Sequence, residues 1–219
     1  MDILNVLTAQ MQALIDVGGI AMIPIVALSV ATVGIILWKV WRMLRGGAWS
    51  GGRTRRAVDQ WCAGQGDAMA TLGTSRTQRA RVARVAMQSA TDPALTDAAA
   101  REETARVARA ALEEGRSGLR ALELIATIAP LLGLLGTVLG MIGAFQALQQ
   151  AGVRADPAAL AGGIWEALLT TAAGMAVAIL ASVGLSWFES VNDRLRFDLE
   201  DAATRIFLAR TAPDAALAA

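Results

Sequence analysis

Glu123–Leu148, ELIATIAPLLGLLGTVLGMIGAFQAL, decides the fold. After Glu123 no charge appears for 25 residues, Leu124 to Leu148. At about 1.5 Å of rise per residue, that run is long enough to cross a hydrocarbon core of about 30 Å as a helix. Thr137 sits near its middle, and Gly133, Gly136, Gly140 and Gly143 recur at spacings of three and four. Residues so spaced share one helical face, and a face of glycines lets a second helix approach closely. The stretch therefore reads as a helix-packing span inside a membrane assembly, with a polar spot on its inner face.

The rest of the chain agrees with a membrane setting. Hydrophobic residues make up 55% and charged residues only 18%, against about a quarter in ordinary soluble domains. There is no histidine, which excludes Ser–His–Asp triads and most zinc sites. One cysteine, Cys62, excludes an intrachain disulfide and any multi-cysteine metal site. Neither a phosphate-cradling GxxxxGK[ST] loop nor a GxGxxG turn after a strand occurs. The reading is a protein without enzymatic activity, cofactor or metal.

Toward the amino terminus, Val17–Trp38 is uncharged and forms a first span, with Pro24 in its first turns. Trp38 and Trp41 beside Lys39, Arg42 and Arg45 mark its boundary with water. Ahead of it, Ile3, Leu4, Leu7, Met11, Leu14 and Ile15 share a face, which suggests an interfacial amphipathic helix over 1–16. This segment lacks the basic leader and small-residue cleavage site of a signal peptide.

Between the first two spans lies a polar, basic, alanine-rich segment. Its arginines are not interleaved with aromatics, so nucleic-acid binding is not expected. Thr91-Asp92-Pro93 reads as a turn or helix start. From Thr96 to Leu148 the pattern stays helical, predicting one long stalk. Along it Ala105, Ala108, Leu112, Gly115, Leu119, Leu122 and Ala126 form a small-residue seam, and Glu102 pairs with Arg106. After the exit loop, Asp156 is placed to cap a third helix that begins at Pro157. The uncharged part of that helix is Ala167–Phe188. Its apolar stripe continues through Phe188, Val191, Leu195, Leu199, Ala202 and Ile206, and a frayed tail begins at Thr211.

Charge sets the topology. Lys39 through Arg120 holds 15 of the 20 basic residues, and Arg194, Arg196, Arg205 and Arg210 follow the third span, whereas the opposite side carries only Arg154. The positive-inside rule then puts the amino terminus outside and the carboxyl terminus in the cytoplasm. The expected fold class is an all-α integral membrane protein with three transmembrane helices. Its segments are an interfacial helix at 1–16, spans at 17–41, 123–149 and 157–188, a cytoplasmic helical domain at 42–122, a periplasmic loop at 150–156, and a cytoplasmic carboxyl-terminal helix and tail at 189–219.

Glu166 is the one acid inside a predicted span. It either lines a protonatable pathway or sits at the outer headgroups, and the sequence leaves both open. Glu166, Thr170, Gly174 and Ala178 step by four and share a drifting face, whereas Thr171 lies about 140° away from Glu166. Spacing thus favours Thr170 over Thr171 as a pathway residue. A buried threonine can also satisfy itself on its own helix, the bland alternative for Thr137, Thr170 and Thr171.

APLLGLLGTVLGMIGAF (Ala129–Phe145) and GIWEALLTTAAGMAVAI (Gly163–Ile179) resemble the two signature segments of the MotA/TolQ/ExbB proton-channel family, and most resemble ExbB. The likeness is specific over about Leu119–Arg196 and only architectural before that. A three-span layout fits ExbB and TolQ, and the four-span flagellar MotA branch fits poorly. The resemblance implies a homo-oligomer, a pentamer, in the bacterial inner membrane around an ExbD- or TolR-like single-span protein in a central pore. It implies proton entry coupled to a TonB-like protein for outer-membrane import, although a lone glutamate with threonines suits a sodium ion equally. The alternatives are a TolQ-like subunit of a Tol-Pal envelope and division system acting on a TolA-like protein, and a non-conducting helical membrane scaffold. By motif, the pore-lining threonines fall on Thr137 and Thr171 and the glutamate on Glu166, so the resemblance prefers Thr171 where spacing prefers Thr170. Family members often carry Ile-Pro-Ala where this chain has Ile179-Leu180-Ala181, which implies a straighter third helix here.

Overall fold

A computed structural model describes residues 2–45, 51–151 and 157–217, with side chains over 19–44, 51–150, 157–158 and 160–210. Among the described residues all regular structure is helical: α1 (Asp2–Arg45), α2 (Gly52–Cys62), α3 (Ala68–Leu72), α4 (Gln78–Thr91), α5 (Asp97–Arg116), α6 (Leu119–Ala151) and α7 (Pro157–Leu217). Three of them, α1, α6 and α7, contain stretches long and apolar enough to cross a membrane. The chain divides into two compact units, Met1–Leu37 with Gly118–Trp187, and Trp38–Ser117 with Phe188–Ala219.

The first unit is a bundle of the apolar parts of α1, α6 and α7. α1 is not one straight helix. Gly19 takes φ 59°, ψ −165°, a conformation open essentially to glycine, and interrupts the helix expected to begin at Val17. The spanning part therefore starts at Ile20, and Pro24 falls in its first turns. Met22, Ile25 and Thr32 form its buried face, with the Thr32 hydroxyl donating to the Leu28 carbonyl at 2.7 Å. Most large apolar side chains of the bundle point outward, including Leu131, Leu134, Leu135, Val138 and Leu139 on α6. Such a surface is unfavourable in water and suits lipid or further protein.

The second unit gathers α2 to α5 with the last turns of α1 and the charged part of α7. Its core is built from small side chains: Ala57, Ala83, Ala86, Ala90 and Ala100 pack with Leu72, Met87, Ile206 and Phe207. The apolar stripe expected along α7 is found, with Phe188, Leu195, Leu199, Ala202 and Ile206 all buried. Polar contacts fix its register. The Trp61 indole donates to the Ile206 carbonyl at 3.2 Å, and Arg205 pairs with Asp59 at 2.6 Å. Asp198 accepts from Arg79 at 2.8 Å and Arg55 at 3.1 Å. Partial burial works to raise the Asp198 pKa, but the hydrogen bonds and charges of the two arginines outweigh it and hold the carboxyl below its ordinary value of 3.8. Lys39 donates to the Gly115 and Ser117 carbonyls, both at 2.7 Å, and so satisfies the orphan acceptors where α5 ends.

Several expectations need correction. The stalk from Thr96 to Leu148 is broken: α5 stops at Arg116, and Gly118 adopts φ 81° before α6 begins. A positive φ at a glycine turns the chain where the small-residue seam implied continuation. The buried residues of α5 are Ala100, Thr104 and Ala111, and of the expected seam Ala108 and Leu112 pack half-buried against Ala111, Leu195 and Leu199, while Leu119 and Leu122 on α6 are buried. Arg106 pairs with Glu103 through two bonds of 2.8 and 2.6 Å, while Glu102 reaches Arg109 instead. On an exposed face the bidentate partner three residues away outcompetes the one four away. The carboxyl-terminal helix continues past Thr211 to Leu217, where a frayed tail was expected.

Other readings stand differently. Thr91-Asp92-Pro93 is a turn, with Asp92 Oδ1 accepting from the Ala94 amide at 2.9 Å, and Thr96 caps α5. Pro157 opens α7, and the helix passes through Ile179-Leu180-Ala181 without a break. The capping role of Asp156 and the side-chain face of 1–16 lie outside the described residues.

Candidate functional site

The site is the contact between α6 and α7 in the first unit, and glycine makes it possible. A Cβ added at Gly133 would lie 3.0 Å from both the Thr170 carbonyl and the Thr171 Cα. One at Gly174 would lie 2.5 Å from the Ala129 carbonyl and 3.1 Å from Gly133 Cα. Any side chain there would push the backbones apart. Gly140 meets Ala167, and Gly136 meets Thr170 together with Ala21 of α1. Gly143 differs: a Cβ there would meet nothing within 4 Å, so it takes no part in packing among the described residues.

Close approach lets the threonines reach across. The Thr171 hydroxyl donates to the Gly133 carbonyl of α6 at 2.9 Å, and Thr171 remains partly exposed. Thr170 is 1% exposed, and its hydroxyl donates back to the Ala167 carbonyl at 2.7 Å. It is therefore walled in by Gly136 and presents no surface to anything outside the bundle. This corrects the spacing argument, which judged one ideal helix without the neighbour that covers Thr170. Thr137 donates to the Leu134 carbonyl at 2.6 Å and stays half-buried, one turn beyond Gly133 on α6. Self-satisfaction thus describes Thr137 and Thr170 but not Thr171.

Thr137 and Thr171 share a chemical consequence. Each has committed its single O–H to a carbonyl, which leaves the oxygen lone pairs as acceptors. A protonated acid or a hydrated proton passing either residue would donate to it.

Glu166 lies elsewhere on α7, half-buried, with Oε1 against Gly19 of α1. A Cβ at residue 19 would collide with that carboxylate oxygen. Gly19 thus belongs to the surroundings of Glu166 both by its backbone conformation and by its missing side chain. Sequence reasoning did not find it, although the Gly18-Gly19 pair within an apolar run was a visible signal. Gly163, which abuts Ala144, was likewise missed.

Known proteins are similar to part of this chain. A protein described as an ExbB homolog of Methanothermobacter thermautotrophicus is 56% identical over 63 residues, 29% of this chain and 22% of its own. The biopolymer transport protein exbB1 of Vibrio cholerae is 42% identical over 84 residues, 38% of this chain and 37% of its own. A protein described as ExbB-like 1 from Synechocystis is 50% identical over 68 residues, 30% of this chain and 27% of its own. The chain therefore spans between about a fifth and about two fifths of the length of these relatives. The family described as the MotA/TolQ/ExbB proton channel family matches residues 74–201, more than half of the chain, including both glycine-lined helices and the threonines between them. With three membrane-capable helices besides, the chain is a multi-pass membrane protein that belongs to the MotA/TolQ/ExbB proton channel family.

Proposed function

We propose that this protein is a proton-channel subunit of an energy-transducing complex in the bacterial inner membrane. Several copies, five by family resemblance, surround the spanning helix of an ExbD-like partner and couple the proton motive force to a TonB-like protein for outer-membrane import. The observation that carries the reading is the Thr171 hydroxyl, bonded across to Gly133 while still partly exposed beside Thr137. Two acceptor oxygens on an otherwise apolar pair of helices form a polar track rather than a patch of core. Threonine holds no charge, so the titrating acid belongs to the partner, with Glu166 contributing at its own end of α7. The amino terminus lies outside, and the segment after α1 is cytoplasmic. Domain limits follow the expected segments, with the cytoplasmic domain ending at the Gly118 break.

The test replaces Thr137 and Thr171 together by valine, and separately Glu166 by alanine. Valine keeps volume and removes the acceptors. The expected result is an assembled complex, recovered with its partner, whose energised uptake falls at least about tenfold, the effect of one charge-assisted contact of ~1.4 kcal/mol. Full activity in both variants would overturn the channel reading and leave the scaffold.

A further inference from the structure

Within the second unit, α5 and α7 leave a groove of about 700 Å³ between them. Its floor is made of Ala105, Ala108, Leu112, Leu199 and Ala203, so the small-residue seam of α5 stays partly open on this side. The two helices run antiparallel, with Gly115 against Asn192 and the Arg101 guanidinium 4.8 Å over the Phe207 ring. Arg109 and Arg116 stand on the groove wall one heptad apart, with Leu112 between them. Arg109 pairs with Glu102 at 2.6 Å and Arg116 with Glu113 at 3.7 Å. All four of these side chains are more than half exposed, and surface pairs of this kind exchange partners at little cost.

A complementary pattern lies on another face of α7. Asp193, Phe197 and Asp201 step by four and form a stripe that Leu208 extends. Phe197 is 69% and Leu208 59% exposed, on a part of the helix rich in charge. Both aspartates are exposed, and arginines near them are engaged elsewhere, Arg196 with Glu200 and Arg205 with Asp59. Arg194 borders the stripe on the side away from Asp193. The groove therefore reads arginine, apolar, arginine, and the stripe aspartate, aromatic, aspartate. Their levels agree as well. With Gly115 opposite Asn192 and Arg101 opposite Phe207, Arg116 is about level with Asp193, Ala108 and Leu112 with Phe197, and Arg109 with Asp201. One chain cannot lay the stripe in its own groove, because Ala203 and Phe197 face about 120° apart on the same helix.

We propose that the groove takes the Asp193–Phe197–Asp201 stripe of a second copy of this chain. Phe197 inserts over Ala108 and Leu112, Asp193 meets Arg116, and Asp201 meets Arg109. Copies arranged around an axis along α7 meet level with level. Because groove and stripe are different surfaces, the contact repeats from copy to copy and closes a ring. The inference rests on the oligomeric reading above, but it assigns a contact to the second unit whether or not the complex conducts.

The test uses the full chain in isolated membranes, with Cys62→Ser removing the native thiol. Phe197→Cys combined with Ala108→Cys is treated with a short bis-maleimide and resolved on a denaturing gel. The expected result is a ladder of dimers, trimers and higher species. Either new cysteine alone stops at the dimer, and Phe197→Cys with Met69→Cys, whose side chain lies away from the groove, gives no ladder. Asp193→Arg with Asp201→Arg lowers the ladder several-fold, and adding Arg109→Asp and Arg116→Asp restores it, a recovery that misfolding would not produce. If the fourfold charge variant loses helicity, the aspartate pair alone decides. The channel reading fails separately, through threonine variants that keep full uptake while the ladder persists. The absence of a ladder, a ladder unchanged by reversing the aspartates, a folded charge swap that restores nothing, or cross-linking to a different polypeptide in its place overturns the proposal.

Discussion

Asp198 shows how much rests on single side chains far apart in sequence. It binds Arg79 and Arg55, which precede it by 119 and 143 residues, and it is only 15% exposed. Replacing it with asparagine leaves two guanidinium groups short of a partner in a half-dry site. The expected loss is about 2 kcal/mol of stability, below the cost for a fully buried pair because Arg55 remains largely in water. Its depressed pKa also fixes a pH dependence. The carboxylate contributes fully above the ordinary value of 3.8, and that contribution disappears as pH falls through the lower folded value. Denaturant midpoints of the native chain should therefore drop below about pH 4, and those of Asp198→Asn should lose that part of the slope. A parallel pH profile in both proteins would refute the assignment. No periodicity could have revealed this pairing, because it depends on how α2, α4 and α7 meet. Thr137, Thr171 and Glu166, by contrast, were legible as the few polar groups in charge-poor runs.

Among the elements, α6 and α7 matter most, and their glycines are not equivalent. Gly174→Ala would set a methyl group against the Ala129 carbonyl and Gly133, so the helices must separate. The expected cost is about 1–3 kcal/mol, the usual range for overpacking, with loss of the Thr171–Gly133 bond. Gly143→Ala, which adds a methyl group in open space, should be neutral or slightly stabilising through helix propensity. Thermal unfolding of the two variants in one detergent separates these outcomes; equal midpoints would contradict the packing. The glycine spacing on α6 announced a packing face but could not say where it ends, because α7 determines which glycines are covered. The same limit explains the stalk. Uncharged length located the spans, whereas the turn at Gly118 is a matter of one backbone angle, and the Gly115 and Ser117–Gly118 that permit it lie within an otherwise continuous helical pattern.

At the scale of the whole molecule, a mean hydropathy of +0.47 and three membrane-capable helices place the protein in lipid, and its charge asymmetry proposes a direction. The single cysteine makes that direction measurable. Cys62 is exposed on α2, in the unit proposed to be cytoplasmic. A membrane-impermeant maleimide should leave it unlabelled in intact spheroplasts and label it after permeabilisation. Labelling of intact spheroplasts would reverse the topology. The number of spans and the basic segment between them were plain from the sequence because both are properties of long stretches. The cavity lined by Lys39, Arg76 and Glu114 was not, since it is assembled from α1, α4, α5 and α7.

The bond from Thr171 to Gly133 carries a last implication. In a regular α-helix the amide of Thr137 also points at the carbonyl of residue 133, four positions before it. One oxygen atom is therefore courted by the backbone of the first motif threonine and the hydroxyl of the second. What strengthens one suitor weakens the other, so the two threonines form a single polarisable unit, and changes made to them separately will not sum.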